Sequence, residues 1–360
     1  MKILILGFAK IKYMPYMNFY LDNIDRKSNE IHLGYWNRDL KEENTTNLEG
    51  IKLHEFSFYQ QDETAKIAKI NSFLKYRKFA LNLIKEISPD FIIVLHTLPG
   101  ILIGKLLAKN YKNKYIFDYR DSTYEKFPPF QKKVKRLARN SKATFVSSDA
   151  FRLFLPQDKE EIYTSHNILE DSLSHRNEKE MSGVDSDKIR IAFWGFIRHE
   201  EINRSIIQKI AADTRFELHY YGREQQTALN LKKYAKEINA ENVCFHGEYV
   251  PQDRYEFVKA TDIIHNVYYD ANMMLAMGNK YYDGIIFRIP QICMEGSFMG
   301  QQSEKCGVGF CCDPYKDDFT EKLYQWYTNI DREKFKRNCD RELSRVLKEY
   351  DFGREILGSL

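Results

Sequence analysis

The segment Gly278-Asn-Lys-Tyr-Tyr-Asp-Gly-Ile-Ile-Phe-Arg-Ile-Pro-Gln-Ile-Cys293 carries the clearest chemistry of the 360-residue chain. It reads as a short loop, a helix starting near Asn279, a turn around Arg288 and, after Pro290, a strand through Ile292-Cys293-Met294. Asn279 is placed to cap the helix, its side-chain oxygen accepting from free backbone N–H groups. A helix N-terminus that also carries a lysine, here Lys280, is an anion site, because N–H groups, dipole and ammonium converge on one point. A second turn, in Ile191-Ala-Phe-Trp-Gly-Phe-Ile-Arg-His199, offers Gly195, which lets a phosphate approach the backbone closely, and Arg198 three residues on. In the first half, Leu95-His96-Thr97 sets His96 where a strand meets a helix, and Phe117-Asp-Tyr-Arg-Asp121 sets Arg120 and Asp121 just behind another strand. His96 reads equally as a structural histidine, and Arg120 with Asp121 equally as a mutual ion pair that closes a loop.

The opening segment resembles the Asn-Lys-x-x-Glu-x-x-x-x-Gly-x-Pro-x-Ile signature of retaining GT-B glycosyltransferases, and the chain is similar to glycosyltransferase family 4 of the bacterial surface-polysaccharide type. The resemblance implies that Asn279 and Lys280 meet the diphosphate of a nucleotide-sugar donor, Lys280 stabilising the leaving group. Asp283 stands where the family has the glutamate that binds ribose hydroxyls, and Leu275 occupies the place of its companion acid. Gly195, Gly222 (in Leu218-His-Tyr-Tyr-Gly-Arg223) and Tyr249 (in Cys244-Phe-His-Gly-Glu-Tyr-Val-Pro251) would border the nucleotide. Phe196 follows Gly195 where many relatives carry arginine, so the basic groups shift to Arg198 and Arg204. On the acceptor side, His96 orients the transferred sugar or the acceptor hydroxyl, Arg120 meets acceptor phosphate and Asp121 the hydroxyl. Ser165-His-Asn167 resembles a structural turn.

The implied reaction moves a sugar from a UDP- or GDP-linked donor to a lipid-linked saccharide in capsule, exopolysaccharide or O-antigen synthesis. Configuration is retained, and neither metal nor cofactor takes part. Two other readings stay open. A nucleotide-sugar 2-epimerase on the same fold needs carboxylates and histidines converging on the sugar. A non-catalytic partner subunit fits the lost companion acid and the missing arginine after Gly195.

The elements that must position these residues alternate. Ile3–Leu6, Ile31–Tyr35, Lys52–Phe56, Phe91–Leu95, Tyr115–Asp118, Thr144–Ser147 and Glu161–Tyr163 read as strands. Between them, a long helix over Ala65–Ile87 has Ile67, Ile70, Leu74, Leu81 and Ile84 near helical spacing, and Gly100–Asn110 reads as another. Residues 170–187 are polar and aperiodic. Alternation then restarts with strands at Arg190–Phe193, Phe216–Tyr220, Val243–Phe245, Ile263–Asn266, Gln291–Met294 and Gly309–Cys311, and helices near 201–212, 224–239, 251–260, 279–286 and 317–350. The expected fold is α/β of GT-B type: two Rossmann-like, doubly wound domains facing a central cleft, where a ligand would sit beyond the carboxyl ends of the strands. The boundaries are an acceptor domain over 1–170, rejoined by 351–360, a linker over 171–187 and a donor domain over 188–350.

Composition narrows the class. Charged residues make up 29% of the chain, as in globular proteins. No apolar run is long enough to span a bilayer, and the opening Met1–Gly7 reads as a buried strand rather than a signal peptide. The six scattered cysteines lack metal spacing and fit reduced thiols in a cytoplasmic protein. The net charge of +4 is uneven: residues 1–169 carry +9, and residues 66–142 hold 18 basic against 5 acidic groups. Within that stretch, residues 126–142 place Lys132, Lys133, Lys135, Arg136 and Arg139 beside an apolar stripe of Val134, Leu137 and Ala138. Such a helix docks on an anionic membrane surface, or is an ordinary surface helix packing its stripe inward. No nucleic-acid-binding module is recognisable.

Overall fold

The computed structural model describes residues 1–60, 66–177 and 188–360. These fall into two compact units, Met1–His166 with Lys348–Leu360, and Asn167–Leu347.

Seven strands build the sheet of the first unit: β1 (Lys2–Leu6), β2 (Glu30–Asn37), β3 (Lys52–Ser57), β4 (Phe91–Leu95), β5 (Tyr115–Tyr119), β6 (Ala143–Val146) and β7 (Ile162–Thr164). Their order is β3-β2-β1-β4-β5-β6-β7, and every pairing is parallel; Ile3 lies opposite Ile31 on one side and Phe91 on the other. Strands such as Phe91–Leu95 are buried along their whole length, because helices cover both faces of a parallel sheet. The helices are α1 (Asn18–Leu21), α2 (Lys66–Ile87), α3 (Thr97–Asn110) and α4 (Pro128–Asn140).

The second unit repeats the design. Its strands β8 (Ile189–Trp194), β9 (Phe216–Tyr221), β10 (Val243–Gly247), β11 (Ile263–Asn266), β12 (Gln291–Met294) and β13 (Gly309–Cys312) are ordered β10-β9-β8-β11-β12-β13, all parallel. Its helices are α5 (Glu200–Ala211), α6 (Gln226–Glu237), α7 (Arg254–Lys259), α8 (Asn279–Phe287), α9 (Phe298–Cys306), α10 (Phe319–Thr328) and α11 (Arg332–Gly358). Strand order reverses at β1/β4 in the first sheet and at β8/β11 in the second. At such switch points the carboxyl ends of the strands splay and leave a crevice.

The last turns of α11 belong to the first unit. There Tyr350 packs on Phe19 at 4.8 Å between ring centroids, Glu349 meets His166 at 2.9 Å, and Gly353 lies so close to Phe19 that a side chain would clash.

Several expectations need correction. Helix α8 is capped by Gly278, whose side-chain-free position gives no cap bond; Asn279 is the first helical residue and stays exposed. The buried face of α2 is Tyr76, Ala80, Leu83, Ile84 and Ile87, whereas Ile70 and Leu74 are exposed; Ile67 lies outside the described side chains and Ala65 outside the described residues. The expected helix over 317–350 breaks at Asn329–Asp331, where Asp331 accepts from the Lys334 amide and starts α11. Helix α9, capped by Ser297 and closed by Gly307 at φ 67°, was not expected. Of the expected linker, residues 170–173 form a 3₁₀ turn, and 178–187 lie outside the described residues.

Candidate functional site

The second unit gathers its candidate residues at the carboxyl ends of β8, β9 and β10. Each strand runs into a glycine, and the three glycines are laced together. Gly195 N donates to the Tyr221 carbonyl (2.9 Å) and Gly222 N to the Gly247 carbonyl (2.8 Å). Gly195 has φ 114° and Gly247 φ 82°, conformations that favour glycine. A side chain on Gly222 would collide with the Gly195 carbonyl, so the two backbones can lie this close only without one.

Lys280 reaches into this corner from the first turn of α8. Its Nζ lies 3.7 Å from where a Gly195 side chain would begin, 4.4 Å from the Phe193 ring centroid and 5.3 Å from that of Tyr268. The aromatic walls strip water from the ammonium. Burial therefore pushes its pKa down to about 7, Asp283 opposing the shift and the positive charge of Arg198 adding to it. Arg198 is exposed and lies over the Phe196 ring at 4.9 Å. Arg204, by contrast, is tied to Glu200 one helical turn away (2.8 Å) and covers Tyr234; it braces α5.

Asp283, three residues on along α8, acts on Lys280 electrostatically. It is 3% exposed and accepts from Trp194 Nε1 at 2.9 Å. Burial raises its pKa, while the nearby Arg254 guanidinium works in the other direction. Arg254 donates to Ser172 (2.7 Å), and its Nε is buried with no hydrogen-bond partner among the described residues. Half-buried Tyr249 stands by the same two charges, its hydroxyl pushed up to about 12 by burial, and packs edge-on to Phe257 at 5.1 Å. The structure thus brings together Gly195, Gly222, Tyr249, Lys280 and Asp283, with Arg198 at the margin. Trp194, Arg254, Tyr268 and His199 complete the corner and escaped the sequence reading. Arg254 looks like any surface arginine on a short helix, and His199 follows Arg198 with no motif of its own.

His199 is held in an unusual state. It precedes α5 at φ 63°, ψ 61°, left-handed geometry that a non-glycine residue rarely adopts. A buried network enforces it. Val267 N donates to His265 Nδ1 (3.1 Å), so His265 carries its proton on Nε2 and donates to Asn203 Oδ1 (3.0 Å), which also accepts from the Tyr220 hydroxyl (2.8 Å). Asn203 Nδ2 then donates to the carbonyls of Arg198 (2.8 Å) and His199 (3.0 Å). Burial drives the His265 pKa down to about 3, so the network stays neutral.

In the first unit, His96 follows β4 at the switch point, with φ 80° and its Nδ1 buried with no hydrogen-bond partner among the described residues. Its Nε2 lies 3.6 Å from Asp121 Oδ2, so these two candidates do converge. Arg120 is 5% exposed, donates Nε to Asp118 Oδ2 (2.8 Å) and Nη2 to Ser165 (3.0 Å), and lies over the Tyr16 ring at 4.2 Å. A buried ion pair within this loop joins Arg120 to Asp118. Arg120 fixes the loop from inside. Asn167 donates to the Met277 carbonyl (3.0 Å), bracing the loop that leads into α8.

Helix α4 buries Val134, Leu137 and Ala138, so its apolar stripe packs inward. Lys132, Lys133, Arg136 and Arg139 are exposed, and Phe127, just ahead of the helix, is 62% exposed. Among the described residues no helix is long and apolar enough to cross a membrane, and no group of histidine, cysteine and carboxylate side chains has metal-binding geometry.

Neither a family model nor a curated protein matches the sequence. Solved structures do match the fold over its whole length. Sucrose-phosphate synthase from Thermosynechococcus elongatus is similar with a TM-score of 0.71 at 10% identity, covering 99% of this chain and 97% of that one. Anabaena HepE in complex with UDP and glucose gives 0.67 at 14% identity, covering 100% of both. The lipopolysaccharide outer core galactosyltransferase WaaB gives 0.66 at 14%, again covering 100% of both. UDP-GlcNAc 2-epimerase from Neisseria meningitidis, bound to UDP-GlcNAc, gives 0.56 at 11%, covering 97% and 100%. Two parallel α/β sheets of seven and six strands, matched end to end with these enzymes, give the chain the GT-B fold.

Proposed function

We propose that the chain is a glycosyltransferase that takes a sugar from a nucleoside-diphosphate donor. The observation that carries the reading is Lys280. Its ammonium has aromatic faces and glycine backbone for neighbours, at the switch point of a doubly wound sheet, with Arg198 nearby as a second cation. A cation desolvated there, with no carboxylate in salt-bridge contact among the described residues, answers to an anionic ligand, and glycine-ended strands would let a diphosphate approach the backbone closely. Asp283 and Tyr249, beside the same corner, suit the ribose and base. HepE, which shares the fold, has been seen with UDP and with UDP-glucose, which favours a uridine donor here.

In this reading Lys280, Arg198 and the local amides neutralise the departing diphosphate without a metal. The acceptor hydroxyl attacks on the leaving-group face, so configuration is retained, and a diphosphate oxygen takes its proton. His96 and Asp121 serve the acceptor, a lipid-linked saccharide of surface-polysaccharide synthesis. The exposed cations of α4, with Phe127, draw the first unit to an anionic membrane surface on the cytoplasmic side. The test is product analysis: purified chain, UDP- or GDP-linked hexose and a lipid-linked saccharide should give an extended acceptor and free nucleoside diphosphate. Loss of donor without acceptor extension across such a panel would count against transfer.

A second reading, epimerisation of the nucleotide sugar, draws on the neighbouring His199 and Asp270, an imidazole and a carboxylate beside the same corner. Incubating the chain with donor alone separates the two, because only an epimerase changes the sugar without an acceptor.

A further inference from the structure

Helix α2 is apolar on two sides. Tyr76, Ala80, Leu83, Ile84 and Ile87 pack inward, and the Tyr76 hydroxyl donates to the Gly7 carbonyl (2.6 Å). Ile70 and Leu74, one helical turn apart and so neighbours on the helix surface, are 55% and 58% exposed. Exposed aliphatic residues scattered singly are ordinary; this is an adjacent pair, and Lys75 and Lys78 beside it are exposed as well. The connections from β3 to β4, β4 to β5 and β5 to β6 all step the same way across the sheet. Right-handed crossovers therefore put α2, α3 and α4 on one face. Arg77 of α2 donates to the Leu102 carbonyl of α3 (2.9 Å), and Leu137 of α4 lies 3.0 Å from where a side chain on Gly100 of α3 would begin. The three helices together hold thirteen lysines and arginines against one carboxylate, Glu86. Arg139 is paired with Asp158 (3.2 Å), while Lys105, Lys109, Lys132, Lys133 and Arg136 are exposed.

A partner for this layer must offer dense negative charge and a place for aliphatic side chains. A nucleic acid meets the first need and leaves Ile70 and Leu74 in water. An anionic bilayer meets both: its phosphates take the ammonium and guanidinium groups, and its acyl boundary takes the aliphatic pair. The long stems of Lys75 and Lys78 let their charges stay at headgroup level while the helix settles. We propose that the α2–α3–α4 layer is the face on which the first unit rests on an anionic bilayer, and that Ile70 and Leu74 enter the acyl boundary. The inference rests on the membrane docking proposed above and names the apolar contact within it. It also assigns a use to residues whose helical spacing reads as core: the fold turns them outward and turns the stripe of α4 inward.

Two variants isolate the apolar contact. Ile70→Ser combined with Leu74→Ser removes the aliphatic pair and keeps every cation; both sites are exposed, so the melting temperature should hold. Leu74→Trp adds a reporter to the same site. Co-sedimentation uses vesicles of equal parts phosphatidylglycerol and phosphatidylcholine, at low and at high salt, with phosphatidylcholine alone as the neutral control. Wild type should bind the anionic vesicles and leave the neutral ones. The double serine variant should bind roughly 10- to 100-fold more weakly at both salt concentrations, because salt screens charge and not apolar burial. Phosphatidylcholine brominated on its acyl chains, mixed into the anionic vesicles, should quench the added emission of Leu74→Trp. This arm decides the matter even if the serine variant fails to fold. Serine-variant binding equal to wild type, or unquenched Leu74→Trp emission, overturns the inference and leaves docking by charge intact. Equal binding of wild type to neutral and anionic vesicles overturns the assignment of the cationic layer. If wild type pellets with neither, or binds a nucleic acid duplex instead, the docking reading falls and this inference with it; sugar transfer to a soluble acceptor is judged separately.

Discussion

A lysine whose pKa lies near 7 is in the wrong protonation state for a resident ion pair and in a useful one for a ligand. Free Lys280 is mostly neutral at pH 8. A diphosphate beside it restores the ammonium, so nucleotide binding at pH 8 should take up a proton. Calorimetry in buffers of different ionisation enthalpy reads this directly. Uptake approaching one proton is expected at pH 8 and little at pH 6, and Lys280→Met should abolish the difference. Stability runs the same way. The folded pKa is below the unfolded one, so between about pH 7 and pH 10.5 the unfolded chain holds more protons, and this group's contribution to stability rises with pH across that window. At the same scale, some positions were legible and others were not. The place of Lys280 at the start of a helix was marked by the Asn-Lys pair and Pro290. The setting of Arg120 was not: nothing in Asp-Tyr-Arg-Asp says whether the guanidinium turns in to Asp118 or out to Asp121, because that depends on Ser165 and Tyr16, far along the chain. His199 was invisible because its strain comes from Asn203, His265 and Tyr220, which meet only in the fold.

Helix α8 carries Lys280 and Asp283, and the fold pins both its ends. Tyr281 donates to buried Glu342 on α11 (2.8 Å), and Arg288, in left-handed geometry at φ 55°, pairs with Asp340 (2.9 Å). Arg288 stands where the signature has glycine, so a bond to α11 offsets the backbone strain. The turn before α5 is pinned by Asn203 instead. Asn203→Ala should cost about 2–4 kcal/mol, since it strands two carbonyls, the Tyr220 hydroxyl and His265 Nε2 in a buried site. Urea unfolding measures it; a loss below about 0.5 kcal/mol would show that the network is dispensable. The strands were legible because a sheet covered on both faces leaves continuous apolar runs such as Phe-Ile-Ile-Val-Leu. Helix faces were less so. Ile70 and Leu74 are as apolar as Leu83 and Ile84, but Leu83 meets the sheet at Gly34 whereas Ile70 and Leu74 are exposed. The Asn279 cap failed because Gly278 has the extended backbone of the capping position.

At the scale of the whole molecule, charge is unevenly shared, and the structure alters how the basic first half can meet a membrane. With the stripe of α4 turned inward, that helix would meet lipid through charge and Phe127 rather than through an embedded face of its own. Replacing Lys132, Lys133 and Arg136 together with glutamine should lower binding to anionic liposomes by on the order of 100-fold at low salt, at about 1 kcal/mol per charge. Transfer to a short soluble acceptor should barely change. Equal co-sedimentation of the triple variant and wild type would reduce α4 to a solvated face. Because Lys280 and Arg198 are assigned the diphosphate charge, activity should persist in excess EDTA; complete loss, restored by manganese or magnesium, would assign that charge to a metal. The central claim is that Lys280 holds a donor diphosphate, and nucleotide binding to wild type and Lys280→Ala tests it most directly. Thermal shifts with UDP, GDP, CDP and ADP should show one nucleotide raising the wild-type melting temperature at saturation, by mass action. In Lys280→Ala, folded as before, affinity for that nucleotide should fall by roughly 10- to 1000-fold, about 1.5–4 kcal/mol. No shift with any of the four, or an undiminished shift in the variant, would contradict the account.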